Sequence, residues 1–144
     1  FTADQNLIAR GDCMNSFINT SKTVDGKKVV LGAYPSDFRD RADGVIRTGL
    51  INEDNSIDWI STYHVNDGFY AYSCLTELSD GNFALLYEDE PYNINYMILS
   101  LDEEGILSEI NGNNIEAPVA DGLRKIADFF NSVLTWLMKL FGMI

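Results

Sequence analysis

The run YAYSCLTELSDGNFALLYEDEP (70–91) sets a phenol, Tyr72, and a carboxylate, Glu88, toward the two ends of a pattern that reads as a β-hairpin. A phenol with a carboxylate beside it as base is a possible nucleophile. Whether the two meet depends on the turn. A two-residue turn over Asp80-Gly81 sets Tyr72 opposite Asp89 and Glu88 opposite Ser73. A three-residue turn over Ser79 to Gly81 sets Tyr72 opposite Glu88, on one face. Both residues lie at the open end of the hairpin either way, and a Tyr and a Glu there are also ordinary parts of a strand pair.

Other chemistry has little to work with. His64 is the one histidine, which argues against a Ser-His-Asp triad and excludes a histidine-rich metal site. Cys13 and Cys74 have no metal-ligand spacing and make no disulfide framework. The formal net charge of −12 argues against nucleic acid, because little here could neutralise a row of phosphates. It fits an acidic, self-repelling exterior.

The elements that must position Tyr72 and Glu88 form a turn-and-strand rhythm. At 144 residues, with 46% hydrophobic and 12% aromatic content, the chain can form one packed domain. Strand-length runs rich in β-branched and aromatic residues are CMNSFINT (13–20), KKVVLGAY (27–34), GVIRTGLI (44–51) and IDWISTYHV (57–65). After a turn at NDG (66–68) come FYAYSCLTEL, NFALLYEDE, INYMILSLD and ILSEI. The two sets of four correspond. Asn15 to Ile18 aligns with Tyr72 to Leu75, Asp25-Gly26 with Asp80-Gly81, and GLINED (49–54) with LSLDEE (99–104).

A four-stranded unit repeated at about 50 residues is the mark of propeller blades. Eight strands would also make a two-sheet sandwich. Two blades do not close a ring, so on the propeller reading this is part of one. At the third turn, NEDNSIDW (52–59) is a degenerate Asp-box, with Asn52 and Asp54 expected to accept turn amides and Trp59 to pack between neighbouring sheets.

From residue 113 the texture changes. The expected organisation is two blades over 1–112, a linker over 113–120 and an amphipathic helix over 121–144. Arg124, Asp128, Asn131, Ser132, Thr135 and Lys139 form a polar stripe at helical spacing on an otherwise apolar segment. Such a helix can dock on its own domain, on a membrane or cell surface, or on a partner. The regular stripe disfavours a transmembrane span.

These motifs carry a resemblance. YSCLTELSDGNFALLYE is similar to the last-blade motif of the bacterial exo-α-sialidases. CMNSFI (13–18) resembles the start of the preceding blade in that family, and YPSDFRDRADGVIRTGLI (34–51) its arginine segment leading into a strand. The resemblance covers residues 13 to about 105. It implies an all-β fold: two four-stranded antiparallel blades of an incomplete six-bladed β-propeller, followed by the C-terminal amphipathic α-helix.

It also implies roles. Tyr72 would be the nucleophile of a retaining glycosidase. Arg41, which immediately precedes a strand, would hold the substrate carboxylate; Arg39 is its competitor, and Arg47 belongs within the strand. Glu88 would orient the first arginine of the family's triad, an arginine that this chain lacks. Glu77, Asp89 and Glu90 have no counterpart and read as solvated carboxylates. The partners would be sialylated glycans or glycoproteins, no metal or organic cofactor is implied, and the location would be secreted or cell-surface. The family's acid/base aspartate, its other two arginines and the glutamate that activates tyrosine have no match here, so the chain alone is expected to be inactive. The alternative is a non-catalytic carbohydrate-binding or scaffold propeller.

Overall fold

A computed structural model describes residues 14–37, 39–90, 93–110 and 117–140. Eight strands form two separate four-stranded sheets. The first holds β1 (Ser16–Val24), β2 (Lys27–Pro35), β3 (Ala42–Ile51) and β4 (Ile57–Phe69); the second holds β5 (Ser73–Glu77), β6 (Phe83–Glu90), β7 (Asn93–Leu101) and β8 (Leu107–Glu109). Every neighbouring pair is antiparallel and the strands follow in chain order within each sheet. A Greek-key sandwich would interleave the order between sheets. Two meanders in series are blades.

The turns explain the registers. At Asp25-Gly26 both residues have positive φ (50° and 77°) and Val24 pairs with Lys27. That is a two-residue hairpin turn whose twist suits the flanking strands. The corresponding Asp80-Gly81 behaves differently. Leu78 N–H donates to Asn82 O (2.8 Å), Gly81 N–H to Leu78 O (3.0 Å), and of these turn residues Gly81 alone has positive φ (81°). The loop is therefore Ser79 to Gly81. The third turns of both blades share this form, with Asn55 (φ 65°) and Gly105 (φ 81°) at equivalent places.

Alternation sends one face of each sheet inward. Val24, Val29, Leu31, Ala33, Ile46 and Leu50 of the first sheet pack on Leu75, Phe83, Leu85, Met97, Leu99 and Leu107 of the second. Each large side chain removed from water here contributes about 1.5–3 kcal/mol. Phe83 is wholly buried, so Phe83→Ala would cost roughly 3–5 kcal/mol. Polar pins cross the same interface. Ser16 Oγ accepts from Leu75 N (2.9 Å), and Ser61 Oγ donates to Gly105 O (2.8 Å).

Two expectations change and a third narrows. Asn66 to Gly68 is no turn: β4 runs through it to Phe69, which pairs with Ala42, and Asn66 Nδ2 donates to Phe69 O (2.9 Å). The helix α1 spans Ala117–Leu140, so it begins inside the segment read as linker; 113–116 and 141–144 lie outside the described residues. Pro118 falls in its first turn, where no N–H is needed. Finally, Trp59 does not lie between the two described sheets. A register shift at Thr48/Gly49 pairs Trp59 with Gly49, on the face turned away from the second sheet, beneath the Arg47 guanidinium (5.0 Å to the ring centroid). A bulge that adds one residue re-aims every side chain beyond it.

Candidate functional site

The three-residue turn decides what faces what in the second blade. Ser73 pairs with Tyr87, and one step further out Glu88 N–H donates to Tyr72 O (3.1 Å) while Ala71 N–H donates to Glu88 O (3.2 Å). Tyr72 and Glu88 are therefore opposite one another at the open end of the hairpin. Both line an apolar cleft of about 420 Å³, together with Met14, Cys74, Leu86 and Phe130 of α1. Tyr72 is 47% exposed, so its hydroxyl can meet a ligand from solvent.

Arg41 reaches the same place from the other blade. It sits just before β3, and its carbonyl accepts the N–H of Tyr70 (2.8 Å), which ties its backbone to the segment entering β5. Its guanidinium carbon lies 5.4 Å from the centroid of the Tyr72 ring. That is cation–π range, and it sets a fixed positive charge beside an exposed phenol. Arg39 is exposed, with its backbone N–H bonded to Asp37 Oδ1 (2.7 Å). Arg47 is in β3, stacked on Trp59. Cys13 lies outside the described residues; Cys74 is a free, exposed thiol.

The other tyrosines near the site are of another kind. Burial pushes the hydroxyls of Tyr70, Tyr87 and Tyr63 above the usual phenol range, with Asp89 and Glu109 adding to the effect at Tyr87 and Glu109 at Tyr63. They stay protonated and serve packing.

The carboxylates read as solvated separate on inspection. Glu77 is not merely solvated: it accepts the N–H of Ser21 (2.7 Å) and the Ser21 hydroxyl, from β1 of the other blade. Asp89 accepts Asn93 Nδ2 (2.6 Å), and the side chain of Glu90 lies outside the described residues. In the NEDNSIDW turn, Asp54 accepts the N–H and the hydroxyl of Ser56, as a turn-capping carboxylate should. Asn52 does not accept a turn amide through its side chain. Its oxygen takes Lys27 Nζ (2.6 Å) and its amide donates to Ser56 Oγ (3.0 Å), because the facing lysine of β2 competes for it.

One contributor went unread in the sequence. Tyr70 is fully buried between the Arg41 segment and the Tyr72 strand, and the Tyr-x-Tyr spacing gives no hint that its first ring is interior. The available signal was Gly44, a glycine at the start of a strand with no turn to explain it.

No protein-family profile matches the chain. Among curated proteins, it is 36% identical over 100 residues to sialidase B of Streptococcus pneumoniae serotype 4, covering 67% of this chain and 14% of that protein. Over its two sheets the chain is homologous to the sialidases. The anhydrosialidase of Macrobdella decora is 38% identical over 82 residues, 51% of this chain and 11% of that one. Among solved structures, the intramolecular trans-sialidase of Ruminococcus gnavus, crystallised with oseltamivir carboxylate, superposes with a TM-score of 0.56 at 36% identity, over 64% of this chain and 23% of that one. The sialidase-homologous chain thus spans about a seventh or less of the length of the curated relatives it matches, and its paired meanders are sialidase-type blades.

Proposed function

We propose that the intact protein is an exo-α-sialidase that cleaves terminal α-linked sialic acids from glycoconjugates with retention, through Tyr72 as nucleophile. The observation that carries this is the Arg41 guanidinium lying 5.4 Å over the ring of the exposed Tyr72, within a sialidase-homologous segment. Sialic acid bears a carboxylate on its anomeric carbon, so an Asp or Glu nucleophile would approach like charge. A phenol avoids that repulsion, and sialidases depart in this way from the usual pair of carboxylates. Arg41 offers the planar fork that suits the substrate carboxylate, with Arg39 as its alternative. Glu88, opposite Tyr72, orients an arginine supplied by another blade. Among the described residues no acid/base aspartate stands beside these three groups, and the chain by itself is expected to be inactive. Sialylated glycans lie outside cells, which agrees with a secreted or surface protein.

The test is hydrolysis of a 2-O-aryl sialoside by the full-length protein, or by this chain joined to the blades that complete it. Tyr72→Phe should abolish nearly all turnover; undiminished activity overturns the assignment. A second reading, intramolecular transfer, is supported by the names of the leech and Ruminococcus relatives. Mass analysis separates the two, since an anhydro product is lighter than free sialic acid by one water.

A further inference from the structure

Tyr70 joins the three parts of the candidate site and touches no ligand-facing surface. Its side chain is wholly buried. Its backbone N–H donates to Arg41 O at 2.8 Å. Its ring lies flat on the backbone of Gly44, so close that a Cβ at Gly44 would come within 2.1 Å of Tyr70 Cδ2. On its other side it stacks on Tyr87, with centroids 5.6 Å apart and planes at 21°. Tyr87 directly precedes Glu88, and Tyr70 is two residues before Tyr72. One ring thus abuts the strand that begins after Arg41, the strand that begins after Tyr72 and the strand that carries Glu88.

The segment it braces is irregular on its β4 side. Between Arg41 and Gly44, Asp43 has a positive φ of 56°, the left-handed region that aspartate enters more readily than most non-glycine residues, so the chain bends there. The β3–β4 ladder is irregular on both sides of Gly44. On the β2 side Ser36 N–H donates to Asp43 O (2.9 Å) and Asp37 N–H to Ala42 O (3.3 Å), so regular bonding holds the strand up to Ala42, and at Arg41 itself the carbonyl is taken by Tyr70 N–H.

We propose that Tyr70 is a positioning residue, which by the shape of its ring against Gly44 and Tyr87 holds the Arg41 guanidinium over Tyr72. The role belongs to the ring and not to the hydroxyl. The hydroxyl is buried beside Ser73 without a well-formed hydrogen bond, the Ser73 Oγ being directed at Ala33 O (3.4 Å). Phenylalanine should therefore serve, and so remove a buried unsatisfied group. Gly44 is the obligate complement, because any larger residue displaces the ring. The inference rests on the sialidase reading where it concerns carboxylate recognition, and on geometry alone where it concerns Arg41 and Tyr72.

The test uses the full-length protein with Tyr70→Phe, Tyr70→Met and Gly44→Ala, Met being chosen because it fills the space without a rigid face. Two readouts separate positioning from folding. The first is discrimination between a sialic acid analogue and its carboxamide. Tyr70→Phe should keep wild-type kcat, KM and discrimination. Tyr70→Met and Gly44→Ala should raise KM and lose up to about 100-fold in kcat/KM, with discrimination collapsing toward unity. A role confined to stability would lower Tm and leave the KM and discrimination of the folded fraction unchanged, and that result overturns the proposal. The second readout needs no sialoside: the ring-current shift of the Arg41 side-chain protons over Tyr72, by NMR. It should persist in Tyr70→Phe and vanish in the other two. If the shift behaves so while the wild type binds no sialic acid, the sialidase reading fails and the positioning stands. If the shift survives Tyr70→Met, the positioning fails whatever the substrate.

Discussion

The Glu77 carboxylate accepts both the N–H and the hydroxyl of Ser21, so β5 of one blade is held to β1 of the other by a clamp that is polar although the interface around it is apolar. Leu75 N–H donating to Ser16 Oγ makes a second such contact further along the same strands. Edge strands that pack face to face can slide, because apolar contacts are non-directional. A carboxylate bonded to one backbone amide fixes the offset.

Removing that clamp should loosen the pairing of the blades more than either blade itself. Glu77→Ala is expected to lower unfolding stability by about 1 kcal/mol, the scale of a charged hydrogen bond that remains partly solvated. Ser21→Ala should cost less, since the backbone N–H bond survives. Denaturant midpoints report the loss. Double-mutant coupling between Ser21 and Glu77 distinguishes the clamp from a general effect of the glutamate. Additive losses would contradict it.

Arg41 and Arg39 are two residues apart and stand differently. Arg41 is stacked on Tyr72, and Arg39 is exposed on the connecting segment. With the full-length protein and a sialoside, Arg41→Ala should raise KM about 10- to 100-fold, corresponding to roughly 1.5–3 kcal/mol for a charge-assisted contact. Arg39→Ala should leave it within about twofold. The reverse pattern would transfer the carboxylate role to Arg39.

The same two turns that set the registers make stability sensitive to acid. The Ser56 hydroxyl and N–H hold the Asp54 carboxyl below its usual range, and the N–H and side-chain amide of Asn82 do the same for Asp80. A carboxylate with a depressed folded pKa binds fewer protons folded than unfolded. Its contribution is therefore complete above the ordinary aspartate value of about 4, and is lost as pH falls through the folded pKa. Asp54→Asn and Asp80→Asn should lower Tm at pH 7, and the gap to wild type should narrow as pH falls below about 4. Thermal melts across that range check the sign. A gap that widens in acid would refute the turn-capping role.

How much of this the sequence revealed varies with the physics. Strand number, blade repeat and the Tyr72–Arg41–Glu88 candidates came from alternation, turn residues and motif resemblance, all of which are local. The register of the Tyr72 hairpin did not, because an Asp-Gly pair closes either turn. Asp25-Gly26 takes one and Asp80-Gly81 the other, where Asp80 Oδ1 accepts Asn82 N–H (3.0 Å). Which face Trp59 takes was not legible, because one added residue in β4 reverses alternation and nothing in IDWISTYHV marks it. Tyr70 and Glu77 were missed because their partners, Gly44 and Ser21, are 26 and 56 residues distant in sequence.

The last prediction concerns α1. Asn131, on its polar stripe, exchanges two hydrogen bonds with the backbone of Ile94 in β7, donating to the carbonyl (3.3 Å) and accepting from the N–H (2.9 Å). That contact turns Asn131 toward the sheet. It leaves Phe129, Trp136 and Leu140 more than 60% exposed, a face that a helix closing a core would have covered. Among the described residues no helix is long and apolar enough to cross a membrane; we propose that the exposed face meets lipid in the interfacial plane. The helical segment carries Arg124, Lys125 and Lys139 against Asp121 and Asp128, so the acidity of the chain as a whole does not repel it from a bilayer. The 144-residue chain is expected to float with zwitterionic vesicles, and a chain ending at residue 116 is not. Phe129→Ser with Trp136→Ser should abolish flotation without changing the far-ultraviolet spectrum of the sheets. Equal behaviour of the full and shortened chains would end the membrane role and leave the exposed face to a protein partner.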